Sequence, residues 1–188
     1  MLEKPKSLIY TGIGSRTLPT GVAFNITAIA RRLALEGFIL RSGGAAGSDA
    51  AFEMGCMQSK GKKEIYLPSK GFNKNSSLLY EPSELAFKIA EKYHPVWSRL
   101  DPYTKRLMAR NVHQLLGQDC KTPTDLVICW TKDGATKTTT RETGGTGQAI
   151  RIAADLNIPV FNLCNSNSFD EINHYVEILL KERQDDAS

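Results

Sequence analysis

The sequence predicts an α/β protein with a doubly wound, mostly parallel sheet and helices on both faces. Short apolar runs of strand length alternate with longer segments of helical periodicity. Such alternation is typical of a parallel sheet with crossover helices. Glycine-rich turns follow several of the apolar runs. The 188 residues are 41% hydrophobic and 23% charged, which suits one globular domain.

The first half of the chain predicts three strands and two helices. Gly37 follows the first helical segment, where a glycine commonly ends a helix. Ser48 or a near neighbour is the expected N-terminal cap of the second helix. The predicted elements are a strand at 8–10, a helix at 22–35, a strand at 38–40, a helix from 48 and a strand at 64–67.

The second half begins with a polar loop at 69–82 and ends in an amphipathic helix. We expect one domain over residues 1–188, with a core at about 7–182 and a short polar C-terminal tail that frays from residue 184. The predicted elements are helices at 84–92 and 103–116, a strand at 125–130, a threonine-rich loop at 131–143, a helix at 148–156, a strand at 158–163 and a helix at 169–181.

Composition narrows the function classes. No stretch approaches the roughly 20 apolar residues that span a bilayer, and residues 1–6 lack the apolar segment of a signal peptide. The four cysteines form no C-x-x-C pair, so we expect reduced thiols in a cytoplasmic protein, and no metal. We also expect no cofactor and no membrane partner. A net charge of +4 permits an anionic ligand without requiring nucleic acid.

Three glycine-rich turns follow predicted strands, at 12–14, 42–44 and 144–147. In parallel sheets, ligands bind at the carboxyl ends of the strands, where these turns are expected to gather. A glycine turn that opens a helix exposes backbone N–H groups, and the helix dipole favours an anion at the same point. The three turns together therefore predict a phosphate-binding site at this rim of the sheet.

Two common phosphate motifs are excluded by their residues. A P-loop requires G-x-x-x-x-G-K-[ST], which none of the turns supplies. A dinucleotide fingerprint requires a third glycine where Thr17 stands and an acidic residue at the end of the second strand, where Arg41, Ser42 and Gly43 stand. The chain also has no G-x-S-x-G or H-E-x-x-H motif.

The segments GIGSR (12–16) and LRSGGAAGSDAAFE (40–53) resemble the DprA/Smf family. The later segments MARN, TDLVICW and GGTGQAIRIA resemble the second half of the wider SLOG superfamily, which joins DprA/Smf with the LOG phosphoribohydrolases. The resemblance covers about residues 7–163. It implies a Rossmann-like sheet whose rim binds nucleotides, nucleotide-derived signals or, in DprA proteins, single-stranded DNA.

The turns and the resemblance together give a set of expected ligand-binding residues. Arg110 enters because it resembles the arginine that LOG-like members place before their fourth strand. Two roles are open for Asp49. It holds a ribose hydroxyl or orients the Ser42 turn in the first, and it only stabilises the first turn of its helix in the second. The expected residues are Gly12, Gly14, Ser15, Arg16, Ser42, Gly43, Gly44, Ala45, Gly47, Asp49, Arg110, Gly144, Gly145, Thr146 and Gly147.

Three functions stay open at this stage: binding of a nucleotide or nucleotide-derived ligand, DprA-like binding of single-stranded DNA in recombination, and LOG-like N-glycosidic hydrolysis. LOG enzymes carry a glutamate where this chain has Arg151, and an arginine cannot act as that carboxylate. Glu142 is the carboxylate next to the loop. The resemblance also raises homo-oligomerisation, and the polar 131–142 segment is a candidate lid.

Overall fold

The computed structural model describes residues 7–185. Its sheet has five strands in the order β3-β2-β1-β4-β5, and every neighbouring pair is parallel. The strands are β1 (Ile9–Gly14), β2 (Ile39–Ser42), β3 (Lys63–Ile65), β4 (Leu126–Trp130) and β5 (Val160–Asn162).

Six α-helices connect and flank the strands. Ser83 caps α3 by accepting a hydrogen bond from the Ala86 N–H, and Asp101 caps α4 by accepting from the Tyr103 and Thr104 N–H groups. Two short 3₁₀ segments lie at Phe72–Lys74 and Trp97–Arg99. The α-helices are α1 (Thr20–Leu35), α2 (Ser48–Gln58), α3 (Glu84–Tyr93), α4 (Pro102–Leu116), α5 (Thr146–Asp155) and α6 (Ser168–Asp185).

The two faces of the sheet carry separate apolar layers. Along β4, Leu126 and Ile128 belong to the layer that includes residues of α1, α2 and α6, whereas Val127 and Cys129 belong to the layer with α3, α4 and α5. Alternate residues of a strand point to opposite faces, and all four of these side chains are buried. The predicted doubly wound α/β class is therefore confirmed, with an all-parallel sheet.

Several boundaries differ from the sequence prediction. β1 continues to Gly14 because Gly12, Ile13 and Gly14 pair with β4. Ser48 is the first residue of α2 rather than its cap; Gly47 precedes it and no side chain caps this helix. α6 reaches Asp185, so the first residues of the expected frayed tail are helical. Residues 1–6 and 186–188 lie outside the described part of the chain.

The chain order places a crevice between β1 and β4. From β1 the chain passes outward to β2 and β3, and it then returns through α3 and α4 on the other face to form β4 beside β1. Such a reversal of strand order is where open α/β sheets bind ligands. Within residues 7–185, no helix combines the length and the apolar character needed to cross a membrane.

Candidate functional site

A cavity of about 620 Å³ opens at the carboxyl ends of β1 and β4. The first and third glycine-rich turns reach it through Gly14, Gly144 and Gly145, and the second is represented by Ala45, the residue after the turn. Nine of the predicted ligand-binding residues line this cavity: Gly14, Ser15, Arg16, Ala45, Asp49, Arg110, Gly144, Gly145 and Thr146.

The other six predicted residues do not line the cavity. A Cβ on Gly12 would lie 2.5 Å from the Phe52 ring, so this glycine lets α2 approach β1. The Ser42 hydroxyl donates a hydrogen bond to the Gly12 carbonyl at 2.7 Å and ties the two turns together. The six residues are Gly12, Ser42, Gly43, Gly44, Gly47 and Gly147.

A buried ion pair forms the inner wall of the cavity. Arg110 Nη1 lies 3.2 Å from Asp49 Oδ2 and 3.0 Å from Gln114 Oε1. The Ala45 N–H also donates to Asp49 Oδ2 at 3.2 Å, so Asp49 orients the turn that follows β2. Arg110 is 5% exposed and Asp49 is 3% exposed. Asp49 thus holds Arg110 at the rim of the sheet.

The electrostatics of the pair are governed by burial. Burial raises the pKa of the Asp49 carboxyl, and the Arg110 guanidinium and the Ala45 N–H oppose this rise. Burial lowers the pKa of Arg110, and Asp49 opposes this fall. Arg110 Nε and Gln114 Nε2 are buried donors without a hydrogen-bond partner within residues 7–185. Both unpaired donors belong to residues that line the cavity.

The turn after β1 adds a second cation at this end of the cavity. The Ser15 N–H donates to the Trp130 carbonyl at 2.9 Å, which fixes the turn against β4. The Ser48 N–H and hydroxyl both donate to the Ser15 carbonyl, at 3.0 and 3.1 Å. Arg16 is exposed, and its charge contributes to lowering the pKa of Arg110. Its side chain makes no ion pair with another described residue.

The third turn lines the cavity at the N-terminus of α5. No side chain caps this helix. Asn111 donates from Nδ2 to the Gly145 carbonyl at 3.3 Å, which joins the turn to α4. Thr146 is 8% exposed, and its hydroxyl has no partner among the described residues. The Gly147 N–H donates to the Gly144 carbonyl at 3.1 Å, and the remaining N–H groups of a helix start favour an anion.

The threonine-rich loop between β4 and α5 is ordered by one carboxylate. Asp133 accepts hydrogen bonds from the Thr131, Thr140 and Thr143 hydroxyls at 2.8, 2.7 and 2.5 Å. Partial burial would raise the pKa of Asp133, but these hydrogen bonds outweigh it and lower the pKa to about 2. Since Thr131 and Thr143 line the cavity, Asp133 fixes its outer wall.

One face of α4 contributes residues that none of the sequence motifs includes. Thr104, Leu107, Met108, Asn111 and Gln114 all line the cavity. Their spacing of three and four residues marks a single face of the helix, so periodicity anchored on Arg110 was the signal that could have found them. They add an apolar wall and two amide groups beside the glycine-rich turns.

Arg151 stands where the LOG resemblance implies a glutamate, and it lies outside the cavity lining. Its Nε donates to the Tyr93 carbonyl at 2.9 Å and its Nη1 to the Thr139 hydroxyl at 2.6 Å. Gln148 is also engaged in packing, since its Nε2 donates to the Ala90 carbonyl at 3.0 Å. Glu142 lines the cavity. Within residues 7–185, no group of three His, Cys, Asp or Glu side chains could hold a metal ion.

The strand order and the polar cavity at its reversal point define a Rossmann-like α/β protein. No family model and no curated protein matches the chain. The fold is similar to that of DNA processing protein A from Helicobacter pylori, a protein that binds single-stranded DNA, with 20% identity and a TM-score of 0.56 over 96% of this chain and 83% of that chain.

A second solved structure shares the same architecture. The Moco carrier protein from Chlamydomonas rheinhardtii has 13% identity and a TM-score of 0.51, and the match covers 93% of this chain and 86% of that chain. Both likenesses establish the fold, and it is the Rossmann-like fold that the resemblance to the SLOG superfamily implies.

Proposed function

We propose that the chain binds a nucleotide or a nucleotide-derived molecule in the rim cavity, with a phosphate at Arg110. The observation that carries this proposal is the hydrogen bonding of Arg110, which uses only Nη1 within the described protein and leaves its buried Nε without an acceptor. A buried donor without a partner costs about 1–3 kcal/mol, so a bound anion removes a penalty already present.

A phosphate group matches the donors at this end of the cavity. The free edge of Arg110, formed by Nε and Nη2, can donate to two oxygens of one phosphate, and this bidentate geometry is a strong charge-assisted contact. Gln114 Nε2 is a further buried donor beside it. Arg16 supplies a second positive charge at the turn after β1. Hydrogen bonds to a charged group contribute roughly 1.5–3 kcal/mol each.

The rest of the cavity supports a nucleotide rather than a free phosphate ion. Its volume of about 620 Å³ lies within the range of small-molecule sites, and one phosphate would leave most of it unfilled. Leu107, Met108 and Ile13 provide apolar surface for a base, and Asn111 provides an amide for a sugar hydroxyl. The resemblance to the SLOG superfamily points to the same ligand class.

Calorimetry with the full chain tests the proposal. The ligands are the four nucleoside 5′-monophosphates and ADP-ribose, each at low and high salt. Arg16→Gln should weaken the best ligand at least tenfold, since it removes a charge-assisted contact without disturbing a protein ion pair. Arg31→Gln is the matched control, because Arg31 is an exposed arginine of α1 outside the cavity lining. Absence of binding by all five ligands, or unchanged affinity in Arg16→Gln, contradicts the proposal.

Single-stranded DNA is the second candidate ligand. It is favoured by the fold similarity to the Helicobacter pylori DNA-binding protein and by residues at the start of α4. Tyr103 is 48% exposed there, and the Lys105 amino group lies 5.4 Å from the centre of the Trp97 ring. Aromatic rings and cations together are typical platforms for unpaired bases. Tyr103 is the exposed ring here, and Trp97 is the half-buried ring beside the cation.

Salt dependence distinguishes the two candidates. Affinity for a DNA strand falls steeply with salt because phosphate contacts release counterions. A short oligonucleotide should therefore bind at low salt only, and Tyr103→Ala should weaken it several-fold. A mononucleotide held in the cavity should keep most of its affinity at high salt. Tight binding of the oligonucleotide with no binding of small nucleotides would favour the DNA-binding function.

A further inference from the structure

The cavity has a second set of unused groups, at the start of α5 and in the loop before it. Thr146 is more than nine-tenths buried, lines the cavity and has no hydrogen-bond partner for its hydroxyl among the described residues. It stands at the first turn of α5, which no side chain caps. Lys132 lines the cavity too, and its amino group makes no ion pair with another described residue. These groups belong to the loop and helix that follow β4, whereas Arg110 belongs to α4.

The topology separates the two subsites. α2 follows β2 and α5 follows β4, with β1 between these strands. Adjacent strands are about 4.8 Å apart, so the strands that lead to the two helix starts are roughly 10 Å apart. α4 touches both sides, because Arg110 pairs with Asp49 of α2 and Asn111 donates to the Gly145 carbonyl before α5. Successive residues of an α-helix point about 100° apart, so Arg110 and Asn111 direct their side chains to the two sides.

We propose that the preferred ligand carries two phosphate groups on opposite sides of one sugar, as in a nucleoside 3′,5′-bisphosphate. This inference rests on the proposed function. One phosphate binds at Arg110 and Arg16, and the other binds at the α5 start with Lys132 and Thr146. Asn111 Oδ1 remains free as an acceptor for the sugar between them, since Asn111 uses Nδ2 on Gly145. In a 5′-diphosphate the two phosphates are adjacent, so both lie near Arg110 and the groups at the α5 start stay unused.

Glu142 is the charged group that opposes the second phosphate. It is exposed and lines the cavity beside the α5 turn. A second phosphate near it experiences repulsion that a monophosphate held at Arg110 largely avoids. Glu142→Gln should therefore raise the affinity for the bisphosphate more than the affinity for the monophosphate.

Calorimetry with the 5′-monophosphate, 5′-diphosphate and 3′,5′-bisphosphate of each common nucleoside tests the inference. For the base that binds best, the bisphosphate should bind at least tenfold tighter than both other ligands. Lys132→Gln should reduce this ratio to near one. Lys137→Gln should keep it, because Lys137 is an exposed lysine of the same loop outside the cavity lining. Thr146→Val should also lower the ratio, and Thr146→Ser should restore it.

The outcomes separate this inference from the proposed function. If monophosphates bind but the bisphosphate binds no tighter, or the diphosphate binds as tightly as the bisphosphate, the second subsite is wrong and the nucleotide site stands. An unchanged ratio in Lys132→Gln also overturns the second subsite. If none of these ligands binds, both proposals fail.

Discussion

Arg110 fills the space that a side chain at position 43 would need. A Cβ built on Gly43 would lie 1.3 Å from Arg110 Nη1 and 2.8 Å from Gln114 Nε2. The turn after β2 therefore approaches α4 closely because residue 43 has no side chain. This approach is what brings Asp49 within 3.2 Å of Arg110 and leaves the Nε of Arg110 at the cavity wall.

Gly43→Ala tests this packing directly. The added methyl group must displace Arg110 from its ion pair, so we expect the free energy of unfolding to fall by about 1–3 kcal/mol, as in other overpacked interiors. Nucleotide affinity should fall at least tenfold because the free edge of Arg110 moves. Chemical denaturation and calorimetry measure the two effects.

Gly21→Ala is the control for this substitution. Gly21 lies in the first turn of α1, and a Cβ there would meet no atom within 4 Å. Alanine in a helix is favoured over glycine by about 0.5–1 kcal/mol, so this variant should be slightly more stable. Equal behaviour of the two variants would contradict the role assigned to Gly43.

Arg110→Met should destabilise the protein in a pH-dependent manner. Removing one partner of a buried ion pair costs about 3–5 kcal/mol because the remaining charge is unpaired. Without Arg110, burial raises the pKa of Asp49 further, since the main opposing charge is gone. Protonation of Asp49 then relieves the penalty, so the loss of stability should shrink as the pH falls from 7 to 4. Denaturant titrations at both pH values measure this change.

Asp49→Asn in the Arg110→Met background should recover stability at pH 7. The amide is neutral, so the double variant no longer holds an unpaired buried charge, and the pH dependence specific to Asp49 should disappear. If the single and double variants respond to pH identically, Asp49 is not the group that titrates.

Gly47→Ala should disturb the turn that carries Arg16. Gly47 has φ of +77°, and a Cβ there would lie 2.4 Å from the Ser15 carbonyl oxygen. We expect a loss of stability of about 1–3 kcal/mol from overpacking and strain, together with weaker nucleotide binding. Gly71→Ala isolates the strain, because Gly71 has φ of +72° but nothing within 4 Å of its Cβ position. Gly71→Ala should leave binding unchanged; equal loss of binding in both variants would contradict this role of Gly47.

The fold and part of the site were accessible from the sequence because parallel sheets obey a general rule. Strands followed by glycine turns predicted that Gly14, Ala45 and Gly144 meet at one rim, and the structure brings them to one cavity. The alternation of strands and helices predicted the two-faced sheet in the same way.

The pairings inside the site were not accessible. Asp49 and Arg110 are 61 positions apart, and their contact depends on how closely α4 approaches the β2 turn. The missing side chain of Gly43 permits that approach, yet from the sequence Gly43 looked like a residue that faces the ligand. The role of Asp133 was hidden for a similar reason, because its three threonine partners become neighbours only when the loop folds.

Asp133→Asn should loosen the loop that forms the outer wall of the cavity. The pKa of Asp133 is lowered from its ordinary 3.8 to about 2, so its carboxylate stabilises the folded state above pH 4, and this contribution is lost as the pH falls through about 2. The stability difference between wild type and Asp133→Asn should thus be constant between pH 5 and 7 and shrink toward pH 2. Allowing for solvent screening, we expect about 1–2 kcal/mol at pH 7.

Hydrogen exchange locates the effect of this substitution. Amides of residues 131–143 should exchange faster in Asp133→Asn, because three threonine hydroxyls lose their shared charged acceptor, while amides of β1 and α1 should keep their protection. Thr138→Ala is the matched control, since Thr138 is an exposed threonine of the same loop that does not bond to Asp133. Nucleotide affinity should fall in Asp133→Asn and not in Thr138→Ala. A loop that exchanges equally in both variants would mean that Asp133 does not order it.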